Sequence, residues 1–166
     1  MAATYEPIAS VTLGSDSATV TFSGIPADWT DLVLICEAGS NTPGTGLHNV
    51  NLQLNSDSGT NYSHTVLRGD GSSAVSFRSS NSSLPIIGDT TRDGDSPNKS
   101  VVVAQFMSYA STDVYKTILF SSAATRVLRG VTLWRSTSAI SSISIAISAA
   151  SHRSGSTFSL YGIKGA

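Results

Sequence analysis

Residues 139–164 read AISSISIAISAASHRSGSTFSLYGIK, and this stretch decides the fold class. From Ile143 to Ala149 every second residue is apolar and the residues between them are small, which is the period of a half-buried strand. After a break at residues 151–155, the β-branched and aromatic residues of 157–163 predict another strand. Because the gap is short, we expect these two strands to pair with each other in antiparallel fashion.

The same alternation recurs along the chain, and no stretch shows three turns of helical periodicity. About ten short strands with evenly spaced turns and no βαβ pattern predict an all-β protein, an antiparallel β-sandwich of jelly-roll type. An immunoglobulin sandwich is the alternative, but the chain lacks paired cysteines and is long for that fold. The other predicted strands are residues 8–13, 18–23, 31–36, 50–54, 61–68, 73–79, 101–109, 114–121 and 127–134.

Turn chemistry suggests how these strands are connected. Residues 8–13 and 18–23 are predicted to form a first hairpin. Residues 61–68 and 73–79 are predicted to form a second, because Gly69 and Gly71 suit the positive φ angles of a tight turn.

The 166 residues are predicted to form a single domain, 1–166. Two segments lack a strand pattern. Residues 1–7, which end in Pro7, are interpreted as an N-terminal arm, and residues 80–100 as a long loop. Segments of this kind can become ordered on a partner, so both are predicted to contact one.

Charged residues make up 13% of the chain and the net charge is −1, so no nucleic-acid partner is predicted. The first residues lack the basic and apolar regions of a secretion signal, and no apolar stretch is long enough to span a bilayer. We therefore expect synthesis in the cytoplasm and no membrane partner. Cys36 is the only cysteine, and its apolar surroundings predict a buried, unreactive thiol.

The common catalytic and cofactor motifs are absent from the sequence, which predicts a protein that is not an enzyme and has no cofactor or metal. Asp89, Asp93 and Asp95 lie close enough in sequence for a calcium site to be the lesser alternative, although the EF-hand pattern is not met. The tripeptide Arg68-Gly69-Asp70 is the one that integrins read, but a turn is the favoured interpretation. Scattered aromatic residues are interpreted as core or interface anchors rather than a sugar-stacking platform: Tyr5, Trp29, Tyr62, Trp134 and Tyr161.

Three regions of the chain resemble small virion structural proteins of tailed bacteriophages, cyanophages included. The first region is YEPI at 5–8 with TLG at 12–14, VTF at 20–22 and IP at 25–26; the second is LNSDSGTNYS at 54–63; the third is Trp134 with AISSI at 139–143 and GSTFSLYGIK at 155–164. In the second region Ser56 stands where the family pattern has glycine. The resemblance spans nearly the whole chain.

The resemblance implies a location in the virion, at the capsid surface, and a role as a capsid decoration or cement protein that stabilises the shell. Receptor binding by a tail or fibre protein is the alternative, and a sugar-cleaving enzyme is a distant third. The implied partner is the major capsid protein.

A homotrimer is predicted as well, because residues 101–106 are apolar on both faces of a strand and leave apolar area for a subunit contact. The predicted capsid contacts come from the arm and the long loop. They are Tyr5, Pro7, Arg92, Asp93, Asp95 and Lys99.

Overall fold

The computed structural model describes residues 5–95 and 99–164. These ranges contain twelve β-strands and one short 3-10 turn, Asp93–Asp95, and no helix in them has the length and hydrophobicity needed to cross a membrane. The strands are β1 (Tyr5–Thr12), β2 (Thr19–Ser23), β3 (Asp31–Ala38), β4 (Leu47–Leu54), β5 (Tyr62–Gly69), β6 (Ala74–Ser82), β7 (Ile86–Thr91), β8 (Ser100–Met107), β9 (Lys116–Ala123), β10 (Val127–Trp134), β11 (Ser142–Ile147) and β12 (Thr157–Ile163).

The strands form two antiparallel sheets. The larger sheet has eight strands in the order β1-β12-β3-β8-β9-β10-β5-β6, and the smaller has four in the order β2-β11-β4-β7. Alternating side chains from each sheet point into one shared apolar core, as the pattern of buried and exposed residues in β8 and β9 shows. The predicted antiparallel β-sandwich is confirmed, with twelve strands where about ten were expected.

The predicted pairing of the last two strands is wrong. β11 lies in the smaller sheet between β2 and β4, whereas β12 lies in the larger sheet between β1 and β3. The chain between them crosses from one sheet to the other, and His152 in this crossing exchanges backbone hydrogen bonds of 2.8 and 2.9 Å with Ser17. The predicted hairpin of β1 and β2 is wrong for the same reason, since β1 pairs with β12 and β2 with β11.

The two segments predicted to lack strands contain strand residues. Tyr5 and Pro7 belong to β1, an edge strand where a proline is tolerated because no neighbour needs its missing N–H. Residues 80–100 hold the end of β6 and the whole of β7. β7 lacks an alternating pattern because it is buried on both faces, with residues 87–91 all buried. Residues 1–4 of the predicted arm and 96–98 of the predicted loop lie outside the described residues.

Candidate functional site

The residues predicted to contact a partner are not brought together. Tyr5 and Pro7 lie at one edge of the larger sheet, opposite Ile163 and Tyr161 of β12. Arg92, Asp93, Asp95 and Lys99 lie in the connection between β7 and β8.

In that connection the charged side chains bind to two other loops of the protein, the one before β4 and the one between β11 and β12. Asp93 forms a 2.6 Å ion pair with Arg153, and Asp95 accepts a 2.8 Å hydrogen bond from the backbone of Gly46. The ammonium group of Lys99 donates to the carbonyl of Gly155 at 2.9 Å and lies 3.5 Å from a carboxylate oxygen of Glu37. Arg92 is half-buried, beside Gly46.

The three aspartates that suggested a calcium site do not converge. Asp89 is fully buried and pairs with Arg126 at 2.5 Å, whereas Asp93 and Asp95 use their carboxylates in the contacts above. Within residues 5–95 and 99–164, no three His, Cys, Asp or Glu side chains lie together as a metal site would require.

The histidines are separate and mostly enclosed. Burial lowers the pKa of His48, His64 and His152, so all three favour the neutral form. His152 is fully buried, where Nε2 donates to the carbonyl of Ile145 at 3.2 Å and the ring packs edge-on against Phe158. His64 and His152 are therefore buried parts of the sandwich, and His48 is half-buried.

Two other motifs have structural partners. Asp70 of the Arg-Gly-Asp tripeptide accepts hydrogen bonds from the backbone N–H groups of Ser72 and Ser73, which lower the pKa of its carboxyl and close the β5–β6 turn. Trp134 is buried, stacks on Tyr62 and donates to Asp57 at 2.7 Å. Asp70 therefore closes a turn, and Trp134 and Tyr62 are core residues, which are the interpretations that the sequence favoured.

The unexplained feature is the solvent-facing side of the eight-stranded sheet, which we call the outer face. Among the residues that the structure describes, eleven large hydrophobic side chains are exposed, and seven of them lie on this one side of one sheet. They are Tyr5, Ile35, Leu67, Val101, Val103, Leu119 and Val127. Contiguous apolar area of this kind marks interaction sites, because single exposed hydrophobic residues are normally scattered.

Cross-strand registers arrange the outer face in rows. The row through Leu119 contains Tyr161, Val33, Gln105, Leu119, Val131 and Thr65. The next row, through Arg129, contains Ser159, Ile35, Val103, Ser121, Arg129 and Leu67. The third, through Val127, contains Thr157, Glu37, Val101, Ala123, Val127 and Gly69. Just over half of the positions in these rows are apolar, most of the others are small or uncharged polar residues, and Arg129 and Glu37 are the charged ones.

Three shallow depressions of about 300, 300 and 350 Å³ lie on this face, and Arg129 lines each of them. Leu119 lines two and Leu67 two. The surface is therefore open and ridged rather than pierced by one deep cleft, a shape that fits a broad partner better than a small molecule.

Charge on the outer face is divided between its two halves. Asp31 and Glu37 project from β3, whereas Arg129 projects from β10 and Arg78 from β6. Asp31 also accepts hydrogen bonds from the Gln105 side chain and the backbone of Ser108. Of the described residues, none places a carboxylate within 4.0 Å of Arg129. The Lys99 ammonium lies 3.5 Å from Glu37, so the β3 side of the face carries a net single negative charge, and the side formed by β10 and β6 carries two positive charges.

Sequence reasoning identified part of this surface and missed the rest. Residues 101–106 were expected to supply a subunit contact, and Val101 and Val103 do lie on the outer face. Leu67, Leu119 and Arg129 were not singled out, because each belongs to an ordinary alternating strand. Their shared exposure depends on the order of eight strands, which no local pattern encodes.

No protein-family model matches the chain, and no curated protein matches it. Among solved structures, the chain is similar to a double mutant of the alginate lyase Aly36B in complex with an alginate tetrasaccharide. The two are 10% identical, the match covers 94% of this chain and 79% of the lyase, and the TM-score is 0.34.

That finding contradicts two of the predictions. These are the capsid decoration role, with its tail receptor-binding alternative, and the lack of enzymatic activity, and neither is part of the function proposed below. A likeness this distant transfers no activity to the chain. The resemblance to phage virion proteins, the major capsid protein as partner, the capsid-surface location and the homotrimer stay predictions.

Proposed function

We propose that the protein is a self-associating building block, whose function is to bind further copies of itself through the outer face of its larger sheet. One observation carries the proposal: seven large exposed hydrophobic side chains share this face, among them Leu119 and Val103, with 47% and 38% of their surface exposed. Covering them removes apolar area from water, which is the main driving force of protein association.

The dimensions of the face fit such a contact. Eight strands at about 4.8 Å spacing are about 34 Å wide, and strands of about eight residues at about 3.3 Å each are about 25 Å long. The resulting area, about 850 Å², is close to the roughly 800 Å² that each partner contributes to a standard stable interface. Two sheets can pack on each other about 10 Å apart, as they do inside β-sandwiches.

A second copy is the occupant that the charges favour. Strong net charge on the face would repel an identical copy, whereas here two carboxylates face two guanidinium groups and the Lys99 ammonium, which leaves a net charge of only one. The protein as a whole also carries a net charge of only −1, so long-range repulsion between copies is weak.

Light scattering after gel filtration tests the proposal. The wild-type protein at about 100 μM is expected to show at least twice the chain mass of 17.2 kDa. Leu119→Lys buries a charge in the contact and is expected to give the mass of one chain. Leu84→Lys is the matched control, because Leu84 has a similar exposure of 50% but lies off the outer face, between β6 and β7, and this variant should remain associated.

A wild-type protein that stays monomeric at this concentration contradicts the proposal. So does a Leu119→Lys variant that associates as strongly as the wild type. Circular dichroism of both lysine variants is compared with that of the wild type, so that a loss of association can be distinguished from a loss of the β fold.

A further inference from the structure

We propose that two copies pair face to face around a twofold axis that runs parallel to the strands between β8 and β9, so that Arg129 of each copy reaches Glu37 of the other. This arrangement rests on the proposed self-association and specifies its geometry. It makes a particular prediction, namely a dimer in which two residues far apart within one chain are neighbours across the interface.

Strand order supplies the first argument. The sheet runs β1-β12-β3-β8-β9-β10-β5-β6, and the boundary between β8 and β9 is its centre, with four strands on each side. Rotation by 180° about an axis along that boundary lays β8 over β9, β3 over β10 and β12 over β5. Every strand then lies over a strand of the other copy, and the whole outer face is covered.

Charge supplies the second argument, because it separates the two ways in which the faces can meet. With the axis parallel to the strands, β3 with Asp31 and Glu37 lies over β10 with Arg129. With an axis in the sheet plane but perpendicular to the strands, β3 lies over β3 and β10 over β10. That alternative brings like charges together, and their repulsion disfavours it.

The registers supply the third argument. A twofold axis parallel to the strands preserves position along them, so Arg129 comes over Ile35, which belongs to the same row. Glu37 is the next outward-facing residue on β3, about 7 Å further along the strand. A long arginine side chain spans this offset. Glu37 lies 3.5 Å from the Lys99 ammonium of its own chain through Oε1, and with 54% of its side chain accessible it can accept Arg129 as a second cation.

The same superposition matches side-chain size in the central strands. Val103 comes over Ser121 and Gln105 over Leu119, so that large residues of one copy meet smaller or flexible residues of the other. Because the axis is twofold, each of these contacts occurs twice. Apolar contacts then supply most of the affinity, because an interfacial ion pair contributes little more than the apolar contact it replaces. The two Arg129–Glu37 pairs determine the register, because other registers leave these charges unpaired.

A charge-swap experiment tests this geometry. The dissociation constant of the dimer is measured by sedimentation over a dilution series for the wild type, Arg129→Glu, Glu37→Arg and the double variant. Each single reversal is expected to weaken the dimer at least tenfold, because it places like charges opposite each other. The double variant restores opposite charges and should recover to within about threefold of the wild type. Asp28→Arg, an exposed reversal in the connection between β2 and β3, is the control and should change nothing.

The outcomes separate this inference from the proposed function. A wild type that remains a monomer overturns both. If the wild type associates and Leu119→Lys dissociates it, but the double variant is no better than the single reversals, the self-association stands and this arrangement is overturned. A trimer mass overturns the twofold arrangement and supports the threefold assembly that the sequence suggested.

Discussion

The guanidinium group of Arg126 and the buried carboxylate of Asp89 form an ion pair, with 2.5 Å between Nε and Oδ2, that ties the β9–β10 turn of the larger sheet to β7 of the smaller one. Asp89 is fully buried, and its other oxygen, Oδ1, has no hydrogen-bond partner among the residues that the structure describes. Ser122 of β9 reinforces the connection by donating to and accepting from the backbone of Asp89. This region holds the two sheets together by polar contacts at a place where the core is otherwise apolar.

Removing the arginine is therefore expected to cost more than removing both charges. Arg126→Ala leaves Asp89 as an unpaired buried carboxylate and should lower the free energy of unfolding by about 3 kcal/mol. Asp89→Leu combined with Arg126→Leu leaves no buried charge, and its loss should be smaller. Urea denaturation followed by circular dichroism measures both. Arg68→Ala is the control, because Arg68 points away from the outer face and forms no ion pair among the described residues, and it should change stability by less than about 0.5 kcal/mol.

The buried histidines predict how stability depends on pH. Burial lowers the pKa of His48, His64 and His152 below the ordinary value of 6.5, so these side chains are neutral in the folded protein. In the unfolded chain they take up protons near pH 6.5, and the unfolded state then binds more protons than the folded state. Stability is therefore fully present above about pH 6.5 and falls as the pH drops towards the lowered folded pKa values.

Urea midpoints measured between pH 7.5 and pH 5 check this dependence. A midpoint that stays constant or rises on acidification over this range contradicts it. His152→Gln should flatten the slope, because His152 is the fully buried member of the three, while its midpoint at pH 7.5 reports the separate loss of packing against Phe158.

The sequence predicts the strands well because their side chains alternate. Ile143 and Ile145 belong to β11, and their alternation with small residues correctly predicts a strand with one buried face. Alternation fixes which face is buried but not which strand lies alongside, so the partner of β11 was assigned incorrectly. Its true neighbours, β2 and β4, are set by a crossing whose backbone hydrogen bonds join His152 to Ser17, more than 130 residues away in the chain.

β7 shows a second limit of prediction from sequence. The run from Ile86 to Thr91 contains a glycine, an aspartate and two threonines, which are typical of a loop. It forms a buried strand because its polar groups find partners elsewhere: Thr90 donates to the carbonyl of Ala38, and Asp89 pairs with Arg126. Those partners are distant in sequence, so local propensity favours the wrong structure.

Trp29 and Gly162 provide a test of packing at the edge of the larger sheet. The indole ring lies against the backbone of Gly162, and a methyl group added there would overlap the ring. Gly162→Ala must displace the tryptophan and its hydrogen bond to Glu6, and is expected to lower the free energy of unfolding by about 1–3 kcal/mol. Gly14→Ala has open space around the new methyl group and serves as the control. Equal urea midpoints for the two variants contradict the predicted packing.

Cys36 provides a probe of global unfolding. It lies on the inner side of β3 with 1% of its surface exposed, and burial raises the pKa of its thiol to about 12. Because the thiolate is the reactive form, a thiol reagent should label the native protein only through transient unfolding, even at pH 8.5. Labelling is expected to accelerate with urea in parallel with the fraction of unfolded protein.

In Ser58→Cys the introduced thiol is in an exposed turn and should react at once, while Cys36 in the same chain reacts slowly. Fast labelling of Cys36 in the wild type under native conditions would show that β3 opens locally, and would contradict a core that is closed around it.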